Sequence, residues 1–126
     1  MKLFLLLLPI LLTTGTGDAG TDQKISSALR TGNSKVLSSL FLSTVELSIN
    51  GEEGTYARND AEAILKAFFK LVSPDEFQII HQGKAGSGVQ YAIGNLNSEK
   101  GNYRVSYYLT TKESKSYIQQ IIIDKE

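Results

Sequence analysis

The chain contains no cysteine, which excludes disulfide bonds, thiol catalysis, thiolate metal sites and a lipid-modified cysteine. It has no tryptophan and only one histidine, so it offers little material for a metal site or a large stacking surface. Lysine plus arginine and aspartate plus glutamate both number 13, and the formal net charge is zero. This balance argues against the basic excess of a nucleic-acid-binding protein. We therefore expect no metal, no cofactor and no nucleic-acid partner.

The N-terminal residues have the pattern of a secretory signal peptide. Met1-Lys2 gives a short positive start, Leu3–Leu12 is an apolar run, and small and polar residues follow in Thr13–Gly20. Ten helical residues span about 15 Å, half of a bilayer core, so the run is too short for a transmembrane helix. A buried core helix is the disfavoured alternative. We expect a signal peptide over residues 1–20, one domain over residues 21–126, and an exported protein that is periplasmic or secreted.

Three helices are predicted in the first part of the domain. A cap at Thr21 or Asp22 starts the first helix, Asn33 starts the second, and the capping-box pattern Asn59–Glu62 starts the third. Local signals also mark the helix ends. Gly32 is expected to end the first helix, and Ser73-Pro74 the third. The apolar stripe of the second helix runs as far as Phe41.

Six strands are predicted from alternating or apolar runs. They are Val45–Ile49, Thr55–Ala57, Glu76–Gln82, Val89–Asn97, Asn102–Thr111 and Ser116–Asp124. Gly51–Gly54 is expected to turn the first hairpin, and short loops make the last four strands an antiparallel meander. Ile121, Ile122 and Ile123 are apolar on both faces, which predicts a central strand. The fold class is therefore α+β, with a curved antiparallel sheet of about six strands wrapped around three helices.

The sequence offers few residues for catalysis. Most carboxylates lie at helix starts, in turns or at element ends, and no pair is aimed at the core, so we assign no catalytic residue. His81 is predicted to share a strand face with Phe77 and Ile79. It is either a lone general base or pocket donor, or a half-buried histidine at a strand end.

Tyrosines and one arginine complete the candidate set. Arg104 lies on the opposite side of its strand from Tyr103, and it is either an anion clamp beside Tyr108 in a concave pocket or an exposed sheet residue. The six tyrosines indicate cross-strand aromatic pairing or a surface for a carbohydrate or apolar ligand. The candidate ligand-binding residues are His81, Tyr56, Tyr91, Arg104 and Tyr108.

Several segments, in their joint order and spacing, resemble a family of small exported bacterial proteins classed as a domain of unknown function. These segments are Ile25-Ser-Ser-Ala-Leu, Thr31-Gly-Asn, Glu53-Gly-Thr-Tyr-Ala, Ala61-Glu-Ala-Ile-Leu, Phe68-Phe, Phe77-Gln-Ile-Ile-His-Gln-Gly, Gln90-Tyr-Ala-Ile-Gly-Asn-Leu, Tyr103-Arg-Val, Ile118-Gln-Gln-Ile and Ile123-Asp-Lys-Glu. The resemblance covers about residues 24–126. It implies the cone of the nuclear transport factor 2-like (cystatin-like) superfamily and an export route, but no activity.

The expected function is a non-enzymatic exported domain that binds a small ligand or a protein partner through its cone pocket or sheet face. One alternative is a small isomerase, dehydratase or hydrolase with His81 in the cone pocket. Another is a structural or assembly protein of the cell envelope. The resemblance also implies a homodimer formed through the open sheet face, and we expect no membrane span after signal cleavage.

Overall fold

The computed structural model describes residues 18–126, with side chains from Gly20 onward. The elements, in chain order, are α1 (Asp18–Thr31), α2 (Ser34–Ser39), β1 (Phe41–Ile49), β2 (Glu52–Ala57), α3 (Arg58–Val72), β3 (Pro74–Lys84), β4 (Gln90–Ser98), β5 (Gly101–Lys112) and β6 (Lys115–Lys125). The predicted signal peptide falls almost entirely outside the described residues and stays a prediction. Within residues 18–126, no helix is both long enough and apolar enough to span a membrane.

The strands form one six-stranded sheet in the order β2-β1-β6-β5-β4-β3. This confirms the predicted α+β class, with three helices preceding or interrupting a curved sheet that does not close. The sheet is mixed rather than wholly antiparallel, because β1 and β6 pair in parallel. A parallel pair needs a long connection, and here the chain between β1 and β6 holds all the other strands and α3. β6 is central, as its three isoleucines predicted.

All three helices contribute to a layer on one face of the sheet, which we call the inner face. α1 packs against β3, α3 packs against β1 and β2, and α2 contacts both helices. Alternation along the strands supplies the apolar side chains beneath them, as predicted from the sequence. On β5 these are the buried residues Tyr103, Val105, Tyr107 and Leu109. Together with the helices they make one core, to which α1 contributes Ile25, Ala28 and Leu29.

The predicted capping box at the start of α3 is wrong. The cap position is Ala57, whose backbone is extended, and no side chain caps the helix. β2 runs directly into α3, so the last residue of the strand occupies the cap. Glu62 instead accepts a hydrogen bond from the Ser34 hydroxyl at 3.1 Å, which ties α3 to α2.

The start of β1 also differs from the prediction. Phe41 is fully buried as the first residue of β1, whereas the sequence pattern placed it on the second helix. The Arg58 guanidinium donates two hydrogen bonds to the Phe41 carbonyl, at 3.2 and 3.0 Å. These bonds fix the start of β1 against the start of α3. Asn33 does cap α2, since its Oδ1 accepts from the Val36 amide at 3.0 Å.

The β1–β2 hairpin turns at Asn50-Gly51 instead of the predicted Gly51–Gly54, so β2 begins three residues before the predicted Thr55. Asn50 and Gly51 have φ angles of 51° and 90°, and β2 already begins at Glu52. Asn-Gly is the preferred pair for a two-residue hairpin turn, because both positions need positive φ. The Asn50 carboxamide oxygen also accepts from the Lys125 amide at 2.9 Å, which joins the turn to β6.

Gly94 in β4 leaves room for the ring of Phe77 on the inner face. A Cβ at Gly94 would lie 2.4 Å from Phe77 Cζ and 2.7 Å from the Gln78 carbonyl oxygen. The backbone oxygen has little freedom to move, so the ring and the strand would both have to shift.

We expect Gly94→Ala to lower the free energy of unfolding by about 1–3 kcal/mol, the usual cost of overpacking. Urea denaturation at neutral pH measures the change. Gly86→Ala is the matched control, because a Cβ there meets nothing within 4 Å. Equal stability of the two variants would contradict this account of Gly94.

Candidate functional site

The sheet surface turned away from the helices, the outer face, carries most of the candidate residues. Its centre is formed by half-buried side chains of the neighbouring strands β6, β5 and β4. These are Tyr91, Ile93, Ser106, Tyr108, Gln120 and Ile122. Alternation with the inward-facing residues of each strand places these side chains outward, and Gln120 shares this face because it pairs with Tyr108. No described helix packs on this face.

His81 lies on the outer face, not inside the cone. Ile79 pairs with Gly94 and His81 pairs with Ile93, so Ile80 is the extra residue of a β-bulge. The bulge shifts the alternation by one, and the prediction that His81 shares the face of Phe77 and Ile79 is therefore wrong. His81 is exposed, and among the described residues its only hydrogen-bond partner is a tyrosine. This placement removes the geometric basis for catalysis by His81 inside the cone.

His81, Tyr91 and Tyr108 form a continuous aromatic row across three strands. His81 Nε2 lies 3.2 Å from the Tyr91 hydroxyl, and the two ring centroids are 5.7 Å apart. The Tyr91 and Tyr108 centroids are 6.0 Å apart with an angle of 41° between the ring planes. Gly83 makes the row possible, because a Cβ there would come within 2.7 Å of the Tyr91 hydroxyl oxygen. The structure therefore brings together three of the five candidate residues.

Arg104 shares the outer face but is separated from Tyr108 by Ser106. Its guanidinium forms an ion pair with Glu126 at 2.7 Å, and the two side chains are 51% and 37% exposed. The interpretation of Arg104 as an exposed sheet residue is thus the correct one, and a clamp in a concave pocket is not. An ion pair this exposed contributes at most about 1 kcal/mol.

Tyr56 is the one candidate that points inward. It is opposite the buried Val45 and packs against the core, with its ring over Gly54. It does not meet the other four candidate residues. The five residues predicted as one pocket therefore divide into four on the outer face and one on the inner face.

A polar cluster on the inner face was missed by the sequence analysis. The Tyr107 hydroxyl donates to Asp22 Oδ1 at 2.6 Å, and Gln82 Nε2 donates to Asp22 Oδ2 at 2.8 Å. Asp22 of α1 thereby binds both β5 and β3. Tyr107 is fully buried, and burial raises the pKa of its hydroxyl above the ordinary value, with the hydrogen bond to Asp22 and the charge of Asp22 raising it further.

The predicted cap at Thr21 or Asp22 is wrong, because α1 begins at Asp18. Within the helix, Asp22 stands three and seven residues before the buried Ile25 and Leu29, so all three share one helix face. That shared spacing is the sequence signal that would have placed the carboxylate against the sheet. The phenol has no exposed surface, so the pair serves to hold α1 on the sheet.

Metal binding gains no support from the described residues, among which no three His, Cys, Asp or Glu side chains are arranged to hold an ion. Residues 22–124 match the protein family described as Domain of unknown function (DUF4783). The chain belongs to the DUF4783 family. This bears out the resemblance stated from the sequence. No curated protein matches the chain in sequence.

Solved structures agree with this assignment. A DUF4783 family protein from Bacteroides fragilis is 31% identical, with a TM-score of 0.77 over 82% of this chain and 96% of that chain. A cystatin-like domain of unknown function from Nostoc punctiforme is 12% identical, with a TM-score of 0.71 over 90% of this chain and 80% of that one. A designed nuclear transport factor 2-like protein is 12% identical, with a TM-score of 0.66 over 84% and 95%. The last two likenesses show the fold alone.

The Tyr107–Asp22 pair makes the stability of this DUF4783 domain sensitive to alkali. Because the folded-state pKa of Tyr107 is raised, its contribution is complete below about pH 10, the unfolded value, and is lost as the pH rises above it. The free energy of unfolding is expected to fall by up to about 1.4 kcal/mol per pH unit in this range.

Thermal denaturation between pH 8 and pH 11.5 measures this dependence. Tyr107→Phe lowers stability at pH 8 by about 1–3 kcal/mol, since Asp22 loses a donor, and flattens the alkaline slope. Tyr108→Phe, on the outer face, is the control and keeps the slope of the unmodified protein. An unchanged slope in Tyr107→Phe would show that the pair does not govern alkaline stability.

Proposed function

We propose that this DUF4783 chain is a non-enzymatic binding domain of an exported protein, that it acts through its outer face, and that the occupant of this face is a second copy of the chain. The observation that carries the proposal is the self-complementary order of side chains along β5 and β6. The family and its fold leave the activity open, and the residues of this chain's outer face support the proposal.

The two faces of the sheet differ in the side chains that are accessible to a binding partner. On the inner face, the helices cover the apolar side chains and the Tyr107 hydroxyl is committed to Asp22. On the outer face, Tyr91, Tyr108 and Ile122 are only half-buried by their own neighbours. Aromatic and aliphatic side chains grouped on an uncovered surface are typical of protein contacts.

The pairing of β5 with β6 supplies the complementarity. Arg104 lies opposite Asp124, Ser106 opposite Ile122, and Tyr108 opposite Gln120, all on the outer face. A two-fold axis in the plane of this face, between and parallel to the two strands, exchanges the members of each pair. Each side chain of one copy then meets the other member of its pair in the second copy.

The contacts created by this axis are chemically matched. Arg104 faces the carboxylate of Asp124 of the second copy, and the small Ser106 faces the large Ile122. The Tyr108 hydroxyl faces the carboxamide of Gln120. The charged contact is at the end of the series, and the apolar contact is at its centre, where burial contributes most. A curved sheet touches its copy at these middle strands, so the central position of the pairs favours this axis over an edge contact.

The native chain is expected to be a dimer at micromolar concentration, measured as mass by light scattering after size-exclusion chromatography. Ile122→Asp places two carboxylates at the centre of the interface and is expected to raise the dissociation constant by about tenfold or more. Val36→Asp is the matched control: Val36 is 40% exposed on α2, in the helix layer, and its variant stays dimeric. A native chain that is monomeric throughout this range would contradict the proposal.

The charged pair allows a test in trans. Arg104→Asp alone and Asp124→Arg alone each set like charges against each other in a homodimer and weaken it. A mixture of the two variants restores opposite charges at both contacts, so native mass spectrometry is expected to show an excess of the heterodimer. A statistical mixture, or two stable homodimers, would rule out the proposed axis even if the chain dimerises in another way.

Export is the remaining part of the proposal, and the N-terminal pattern supports it. When the full chain is expressed in a Gram-negative host, the fractionated periplasm is expected to contain a product cleaved between Thr13 and Gly20, identified by its intact mass. Replacing Leu6 and Leu7 by lysine interrupts the apolar run and is expected to leave uncleaved chain in the cytoplasm. Equal periplasmic yield of both forms would contradict the export proposal.

A further inference from the structure

An apolar hollow lies on the inner side of the sheet, opposite the proposed dimer surface. It lies between α3 and the turn of the β1–β2 hairpin and has a volume of about 460 Å³. Small-molecule sites commonly have about 300–1,000 Å³. Phe68 and Tyr103 lie at the hollow and are held edge to face, with ring centroids 5.2 Å apart and an angle of 87° between the planes.

The walls of the hollow include an unusually exposed aliphatic side chain. Leu71 is 69% exposed, more than Ile80 at 52% or Val36 at 40%, the other large apolar side chains that the described residues leave exposed. Neither Ile80 nor Val36 lines the hollow, whereas Leu71 does so together with Ile64. Ile64 and Leu71 are seven residues apart on α3 and therefore share one helix face. Leu71 therefore extends the apolar surface that Ile64 and Phe68 form in the hollow.

The lining of the hollow includes a single charged residue. Glu52 is the one residue charged at neutral pH among the described residues that line the hollow, and it has no ion pair or hydrogen bond with a described side chain. It pairs with Ile49 on β1, so alternation directs Glu52 to the inner face and its neighbour Glu53 to the outer face. Lys66 and Lys70 belong to α3, and Lys125 is paired with Tyr103 at the end of β6, but none of the three lines the hollow. The side chain of Lys125 lies against Gly101 instead. The site thus combines an aromatic and aliphatic lining with one carboxylate at its margin.

We infer that the hollow binds a cationic amphiphile, a molecule with an apolar chain or ring and an ammonium group. The apolar part packs against Phe68, Leu71 and Ile64, and the ammonium group lies against the Glu52 carboxylate. The volume favours a small molecule over a folded protein surface, and the sign of the single charge selects a cation over a neutral or anionic head group. The inference stands apart from the proposed dimer, since the two surfaces share no residue.

The experiment compares three probes with the same ten-carbon chain: decyltrimethylammonium, decyl maltoside and decyl sulfate, each below its micellar concentration. Methyl NMR shifts of Leu71, Ile64 and Ile49 report occupancy, and their titration gives the dissociation constants. Decyltrimethylammonium is expected to bind most tightly. Glu52→Gln removes about a two- to fivefold preference for the cation over the maltoside, the range for an exposed charge contact.

Matched variants separate the site from general surface effects. Glu53→Gln, one residue away on the opposite face, is expected to keep the preference for the cation. Leu71→Ser weakens binding of all three probes by about five- to tenfold through lost apolar contact, whereas Ile80→Ser has no effect. Leu71 and Glu52 are exposed, so their replacement leaves the fold intact, which the unchanged NMR spectrum of the free variants checks.

Three results would overturn the inference. The first is equal affinity of the native chain for the cationic and neutral probes, and the second is tighter binding of the anionic probe. The third is a pattern of shifts that follows Ile80 or Val36 instead of Leu71. A monomeric native chain in the same samples bears on the proposed dimer alone and leaves this inference standing.

Discussion

The fold depends on the requirement that one face of a six-stranded sheet be covered. The inner face of β5 carries large apolar side chains, and burying them against α1 and α3 supplies the main stabilisation. A buried tyrosine hydroxyl would be costly without a partner, and Asp22 provides one. That bond fixes α1 on β5, and the bond from Gln82 to the same carboxylate fixes α1 on β3. The buried tyrosine hydroxyl therefore helps to position the helix that covers it.

Because the helices cover only one face, the two faces of the sheet use their polar and aromatic side chains differently. The inner face uses its polar groups to hold the helices and leaves an apolar hollow near Leu71 and Glu52 on that side. The outer face keeps the His81–Tyr91–Tyr108 row and Arg104. Membership in DUF4783 and the likeness to cystatin-like and nuclear transport factor 2-like structures establish the fold, while the binding surfaces follow from this chain's own residues.

Much of the fold was predictable because alternation and helix spacing are local. The strands after α3 and the central place of β6 follow directly from apolar patterns. The candidate site was less predictable, because each error came from a contact that local patterns do not contain. The bulge at Ile80 reverses the face of His81, the direct passage of β2 into α3 replaces the expected cap, and the helix that starts at Asp18 brings Asp22 onto the sheet. In each case a pairing or boundary, not a residue type, decided the outcome.

Tyrosine accessibility gives the most direct test of the claim that the inner face is closed and the outer face is the working surface. Nitration of the native chain, mapped by mass spectrometry at nanomolar and at high micromolar concentration, reports all six tyrosines together. The account predicts that Tyr103 and Tyr107 resist modification at both concentrations, whereas Tyr108 and Tyr91 react when dilute and become protected when concentrated. Nitration of Tyr107 in the folded chain would contradict the account. So would nitration of Tyr91 and Tyr108 to the same extent at both protein concentrations.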